Sequence, residues 1–209
     1  MATVEELAVR IRGKFAEGEQ RIKQFQSQKV EEHHARRERE QQLEQWLGSL
    51  REVWRPRLEA LAREFGDRLK VTPHVTPGRR EALFDVKSPL ASIKLKFTAS
   101  ANADVTELVL TYDLDVLPIL MKFERHAEIA FPLDAVDEAK LTEWIDDRII
   151  TFVQTYLEMH SNQYYLQDQM VEDPIAHVRF PKFAAGATRK RGEEILYFIS
   201  ESTAAEFKA

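Results

Sequence analysis

The ionisable residues whose spacing comes closest to a catalytic or metal site are Glu124, His126 and Glu128. A spacing of two places all three on one face of a β-strand, where carboxylate and imidazole groups could ligate a metal or transfer protons. Alternating polar residues are also typical of the solvent-facing side of a sheet, and we favour that interpretation. We therefore expect no catalytic residues in this segment.

A second set of ionisable residues lies in the highly charged segment at positions 26–42. Here His33 and His34 directly follow Glu31 and Glu32. Adjacent histidines point in different directions on a helix, and the HExxH spacing of zinc-binding helices is absent. The segment is therefore predicted to be a solvated helix or a connector.

Composition argues against several classes of function. The 209-residue chain has no cysteine, so it can form neither a disulfide nor a thiolate metal site. It also lacks a glycine-rich phosphate loop, a GxSxG motif and a Walker-type motif. The formal net charge is -5, and the basic clusters at positions 36–39 and 189–191 have acidic neighbours and no interleaved aromatic residues. We expect no cofactor and no nucleic-acid partner.

The sequence shows no signal for export or membrane insertion. Its N-terminal segment contains acidic side chains and no uninterrupted apolar region, and no run of about 18 apolar residues occurs anywhere. We therefore expect a soluble, cytoplasmic protein without a membrane partner.

Residues 1–70 are predicted to form long helices. Apolar residues recur there at steps of three and four in two places, the spacing of a helix with one apolar face. The first and weaker set comprises Val4, Leu7, Ile11, Phe15, Ile22 and Phe25. The second and stronger set is the candidate interaction stripe, which comprises Leu43, Leu47, Leu50, Trp54, Leu58 and Leu61.

Two arrangements remain open for the candidate interaction stripe. It could pack inside the chain, over a sheet or as an antiparallel hairpin with the first helix, or it could pair with a second copy as a coiled coil. Pro56 interrupts the stripe and predicts a kink or a restart, because proline lacks a backbone donor and crowds the preceding turn.

Residues 71–165 are predicted to form an antiparallel sheet backed by a long helix. Ile93, Leu95 and Phe97 alternate with polar residues, and short connections between such segments indicate a meander. The helix is expected to begin at Asp134, whose carboxylate can cap the first free N–H groups, and to end near Tyr165.

The C-terminal segment contains residues spaced as in a known small module. They are an opening at Asp173, Pro174 and Ile175, a turn at Arg191 and Gly192, and a close at Tyr197, Phe198, Ser200, Glu201 and Phe207. On these residues, positions 173–207 resemble a YHS domain, a module related to the metal-binding treble-clef-like domains. The resemblance implies a small ββα fold within residues 166–209.

The tail departs from the YHS pattern at the positions that carry its chemistry. Ala176, Ile199 and Thr203 stand where the pattern places cysteines, and His177 replaces its glycine. Without thiolates the usual soft tetrahedral site is missing, so we expect a metal-free module that is stabilised by docking on the rest of the chain. A weaker alternative is a metal held by Asp173, His160 and His177.

These observations predict an α+β protein with three regions, at positions 1–70, 71–165 and 166–209. We expect a non-enzymatic interaction or scaffold protein that binds a protein partner or a second copy of itself. The alternative is a metal-binding or small-ligand-binding protein that uses the cleft between sheet and helix or the region of His160 and His177.

Overall fold

The computed structural model describes residues 4–207 and has the α+β architecture that the sequence predicts. One long N-terminal helix is followed by a five-stranded antiparallel sheet, a second helix and a tail of short strands with a small helix. No helix in this part of the chain is long and apolar enough to cross a membrane.

The N-terminal region is one continuous helix, α1, which spans Val4–Phe65 over 62 residues. The predicted alternative of an antiparallel helical hairpin is wrong, because no turn divides the helix. Pro56 lies inside it and costs one backbone hydrogen bond. The helix continues past the proline because Trp54 and Leu58, on either side, are both buried in the same core.

Five strands follow in a simple meander. They are β1 (Leu69–Thr76), β2 (Arg79–Val86), β3 (Ser92–Ala101), β4 (Glu107–Leu117) and β5 (His126–Pro132). Each strand pairs with the next in antiparallel orientation, which confirms the predicted topology. Leu95 lies opposite Phe84 on β2 and Leu114 on β4, so the apolar positions of neighbouring strands share one inner face.

The second helix, α2, spans Glu138–Ser161 and begins later than the sequence suggested. Its N-cap is Asp137 and not Asp134, because Asp137 Oδ1 accepts hydrogen bonds from the backbone N–H groups of Ala139 and Lys140, each at 3.1 Å. These bonds, the one from Lys140 foremost, lower the pKa of Asp137. A break at Asn162 precedes the short helix α3 (Gln163–Leu166), so the predicted single helix to Tyr165 is two helices.

All six residues of the candidate interaction stripe are buried inside the chain. Their side chains are between 1% and 8% exposed: Leu43, Leu47, Leu50, Trp54, Leu58 and Leu61. They pack with the inner face of the sheet and with α2, so they do not form a free surface for a partner. Of the two arrangements left open by the sequence, packing over a sheet is the one that the structure shows.

Aromatic side chains connect the three layers of this core. Trp54 on α1 lies edge-on to Phe97 at the centre of the sheet, with ring centroids 6.2 Å apart. Nearer the end of α1, Phe65 stacks on Phe152 of α2 at 5.4 Å and meets Tyr156 edge-on at 5.0 Å. Such pairs add roughly 0.5–1.5 kcal/mol each beyond the burial of their area.

Hydrogen bonds fix the point where α1 leaves the core. The backbone oxygen of Leu133 accepts from Gln42 Nε2 and from Trp46 Nε1, each at 2.8 Å. Glu44 accepts from the backbone N–H of Gly78 and, at 2.8 Å, from Arg80 of the β1–β2 hairpin. The direction of the helix beyond this point is therefore tied to two separate parts of the sheet.

The tail consists of two hairpins and a short helix. Strands β6 (Met170–Glu172) and β7 (Arg179–Pro181) form the first hairpin, β8 (Ala187–Arg191) and β9 (Glu194–Phe198) the second, and α4 spans Glu201–Glu206. Gly186 is required before β8, since a Cβ there would lie 2.8 Å from the backbone oxygen of Ile199.

Replacing Leu47 by alanine tests the burial of the stripe. Leu47 is 1% exposed, and the cavity left by Leu47→Ala should lower the free energy of unfolding by about 2–5 kcal/mol, measured by urea denaturation. Leu157→Ala is the matched control, because Leu157 on α2 is 60% exposed and should change stability by less than about 1 kcal/mol. Equal effects of the two substitutions on the free energy of unfolding would contradict the burial of Leu47 in the core.

Candidate functional site

The N-terminal part of α1 is a long surface that packs against nothing else among residues 4–207. We call residues 4–38 the arm. No residue from position 4 to position 34 is buried, and at 1.5 Å per residue the arm extends about 50 Å from the core. Six of its exposed large apolar side chains, which sequence reasoning assigned to a helix but not to a site, share one side of the arm and are 47% to 83% exposed: Val4, Leu7, Ile11, Phe15, Ile22 and Phe25.

These side chains form one continuous stripe along the arm. With 3.6 residues per turn, positions 4, 7, 11, 15, 22 and 25 fall within roughly a quarter of the helix circumference. Gly18 lies on the same line and has open space where a Cβ would be. We call this set, positions 4–25, the arm stripe. Exposed apolar patches on proteins are often interaction sites.

Ion pairs on the arm run along the helix. Lys14 pairs with Glu17 at 2.7 Å and Lys29 with Glu32 at 2.6 Å, both one turn apart and exposed. Such pairs support a helix by only about 0.2–0.5 kcal/mol. They leave the arm stripe uncovered.

A shallow cleft of about 780 Å³ lies where the tail meets the core. Its lining includes three basic side chains, Arg68, Lys87 and His160, and no carboxylate. The rest of the lining is largely apolar, with Tyr156 and Phe183 the aromatic members. The cleft therefore offers positive charge beside apolar surface.

His160 is held in a defined orientation inside this cleft. Its Nδ1 lies 2.8 Å from the backbone oxygen of Tyr156, which can only accept, so Nδ1 carries the hydrogen. The ring packs against Tyr156 with centroids 4.2 Å apart and meets Phe183 of the tail edge-on at 5.5 Å. His160 thus helps to dock the tail on α2.

Asp173, His160 and His177, the residues of the weaker metal alternative, do not lie together in the structure. Asp173 is fully buried and bonded to backbone N–H groups, while the exposed His177 lies 3.4 Å from Glu172. Across residues 4–207, no three histidine, aspartate or glutamate side chains are grouped so that they could hold a metal ion. Within this part of the chain, Asp173, His160 and His177 are three separate features.

Asp173 instead organises the tail. Its Oδ1 accepts from the backbone N–H groups of Ile175 at 2.8 Å and Ala176 at 3.0 Å, and its Oδ2 accepts from that of Ile199 at 2.9 Å. Burial raises the pKa of Asp173, but these bonds outweigh it, Thr203 adds to them, and the pKa lies well below its ordinary range. The carboxylate thus joins the first hairpin to the end of β9.

Of the polar residues Glu124, His126 and Glu128, the first two contact separate partners. Glu124 forms an ion pair with Arg148 of α2, and His126 Nδ1 lies 2.7 Å from Asp113 on the neighbouring strand. The two side chains are therefore engaged in cross-element contacts. Their arrangement is that of two surface ion contacts and not of a catalytic or metal site.

No protein-family model, no curated protein and no solved structure matches this chain. The resemblance of the tail to a YHS domain consequently remains a prediction from its residues.

Replacing Asp173 by asparagine tests its role as the organiser of the tail. Asp173→Asn removes the charge and one acceptor, so amide hydrogen exchange at Ala176 and Ile199 should accelerate by roughly tenfold or more. Asp168→Asn is the control, because Asp168 lies in the same region and is exposed. Unchanged exchange in Asp173→Asn would contradict the assignment.

In the wild type, the protection of these amides from hydrogen exchange should depend on pH. A carboxylate whose folded pKa is lowered stabilises the fold above its unfolded pKa of about 3.9 and loses that contribution as the pH falls towards the folded value. Protection at Ile199 should therefore be constant from neutral pH to about pH 4 and fall below it. In Asp173→Asn this pH dependence should disappear.

Proposed function

We propose that this chain is a non-enzymatic interaction protein whose arm binds a helix of another polypeptide through the arm stripe. The single observation that carries the proposal is the exposure of six large apolar side chains in one line on a helix that projects about 50 Å from the core. A folded head that holds a long apolar-striped helix is suited to joining protein partners.

The stability of the arm supports the same proposal. Helices gain most of their stability from packing an apolar face, and the arm has no such packing within the described residues. Gly13 and Gly18 each cost about 1 kcal/mol relative to alanine at interior helical positions. A partner helix along the arm stripe would supply the missing apolar contacts.

A photo-crosslinking amino acid placed at Phe15 tests this function in the full chain. Phe15 lies at the middle of the arm stripe and is 70% exposed, so we expect a covalent adduct with a protein when the variant is made in its native cells and irradiated. The control carries the same group at Gln20, which faces away from the arm stripe. Mass spectrometry of the adduct identifies the partner.

Two results would overturn the proposal. One is the absence of any adduct at Phe15, and the other is equal, unselective labelling from both positions. An adduct specific to Phe15 supports the proposal whether the captured protein is a different one or a second copy of this chain.

We also propose that the tail is a metal-free YHS-like module. The support is that Ala176 and Ile199, two of the three positions at which the resemblance places cysteines, donate their backbone N–H groups to Asp173, and that Thr203, the third, helps to lower its pKa. In this proposal the buried carboxylate takes over the joining role of the metal. The tail then contributes structure and a docking contact to the head, not metal chemistry.

A second candidate function is the binding of a small anion with an apolar part in the cleft beside His160. The observation that favours it is a lining with three basic side chains and no carboxylate. Arg68 is partly engaged, since its Nε donates to the backbone oxygen of Phe65 at 3.2 Å. Lys87 is exposed and makes the more adaptable contact.

Titration with inorganic phosphate tests the cleft. Amide resonances of residues 86–92 should shift in a saturable manner by NMR, and Lys87→Gln should weaken binding by roughly threefold or more through loss of one charge. Lys94→Gln, an exposed position on the outer face of the sheet, is the control. No saturable shift up to about 10 mM, beyond the weak end of specific binding, would contradict this candidate.

A further inference from the structure

We infer that the arm stripe pairs with the arm stripe of a second copy of this chain, in antiparallel orientation, about a two-fold axis between Lys14 and Phe15. This inference rests on the proposed function and names the partner. An antiparallel pair of identical helices is isologous, so the surface must be complementary to itself when it is reversed.

The arm stripe has this reversed complementarity. About an axis between positions 14 and 15, Val4 faces Phe25 of the second copy and Leu7 faces Ile22. Ile11 faces Gly18 of the second copy. Because glycine has no side chain, open space is left there for Ile11. From Val4 the steps between apolar positions are three, four and four, and from Phe25 they are three, four and three when Gly18 is counted, so each of the outer layers contains at least one apolar side chain.

Phe15 lies beside the axis, where the two copies meet. Its ring is 70% exposed in the single chain and would cover the ring of the second copy there. Lys14 is also near the axis, but its ammonium is already paired with Glu17 of the same helix at 2.7 Å. Its aliphatic stem can therefore lie along the seam while its charge is directed outward.

Charges along one flank of the arm stripe favour the reversed orientation. Glu5, Arg12, Glu19 and Lys23 follow this flank in the order negative, positive, negative, positive. In the antiparallel pair Arg12 lies within two residues of the level of Glu19 of the second copy, and Glu5 within one residue of the level of Lys23, so both pairs of opposite charge can form, each of them twice.

A parallel pair in register would bring like charges together instead. The basic residues Arg10 and Arg12 of one arm would then lie level with the same residues of the other. Repulsion between these like charges disfavours the parallel pair and so contributes to the choice of the antiparallel one.

The head groups do not obstruct this pairing. The core begins near Arg39, about 24 residues from the axis, so two cores would be separated by about 70 Å along the paired arms. The overlap of positions 4–25 leaves residues 26–38 of each arm as a polar spacer. The dimer is therefore an elongated rod with a head at each end.

Disulfide trapping tests both the pairing and its direction, and the chain has no native cysteine to interfere. In the antiparallel dimer, full chains carrying Leu7→Cys should not link to one another, because the two positions lie about 22 Å apart and a disulfide needs Cα atoms within about 7 Å. The same holds for Ile22→Cys. An equal mixture of the Leu7→Cys and Ile22→Cys chains should form the mixed disulfide under mild oxidation.

Sedimentation equilibrium of the full chain provides the second readout. The triple variant Ile11→Glu, Phe15→Glu and Ile22→Glu should weaken dimerisation by more than about 100-fold, since each buried apolar side chain accounts for a factor of ten or more. The control Val9→Glu, Gln20→Glu and Ser27→Glu adds the same charge on the opposite side of the arm and should leave the dimer nearly unchanged. Arg12→Glu should weaken the dimer, and adding Glu19→Arg should restore it.

A monomeric full chain at about 100 µM, a concentration well above the range of specific association, would overturn the inference. Self-linking of Leu7→Cys would overturn the antiparallel orientation. These failures are distinct from failure of the proposed function, because a monomer whose Phe15 crosslinker captures a different protein retains an interacting arm.

Discussion

The packing of the second half of α1 across the sheet is the interaction on which the rest of the structure depends. A five-stranded antiparallel meander has one apolar face, and here that face is covered jointly by α1 and α2. Phe65 contacts both Phe152 and Tyr156, so the end of α1 also positions α2. Without this layer neither the sheet nor the start of the tail would have a fixed place.

The same packing explains why the arm projects. A continuous helix is a stiff rod, and once positions 43–65 lie along the sheet the preceding residues must continue in the same direction. The bonds from Gln42 and Trp46 to Leu133 fix this direction at the edge of the core. An arm held in this way keeps its apolar stripe away from the chain's own core and available to another molecule.

Sequence patterns predicted the helices and the meander but not which apolar stripe would be buried. The stripes at positions 4–25 and 43–61 have the same periodicity, and periodicity does not reveal whether the chain itself or a partner covers a helix face. The stronger stripe matched the inner face of the sheet and became core. The predicted start of α2 at Asp134 was wrong because Asp134 and Asp137 are both of a residue type that caps helices, and only Asp137 is followed by N–H groups within reach.

The tail illustrates a limit of reasoning from residue types. Ala176, Ile199 and Thr203 carry no thiolate, and their side chains alone suggested only that no metal is bound. The backbone N–H groups of two of them nevertheless point at one buried carboxylate. Because a carboxylate accepts several hydrogen bonds and holds its charge in that setting, Asp173 can join elements that a metal would otherwise join. In this tail the buried acceptor is therefore the residue that connects the elements.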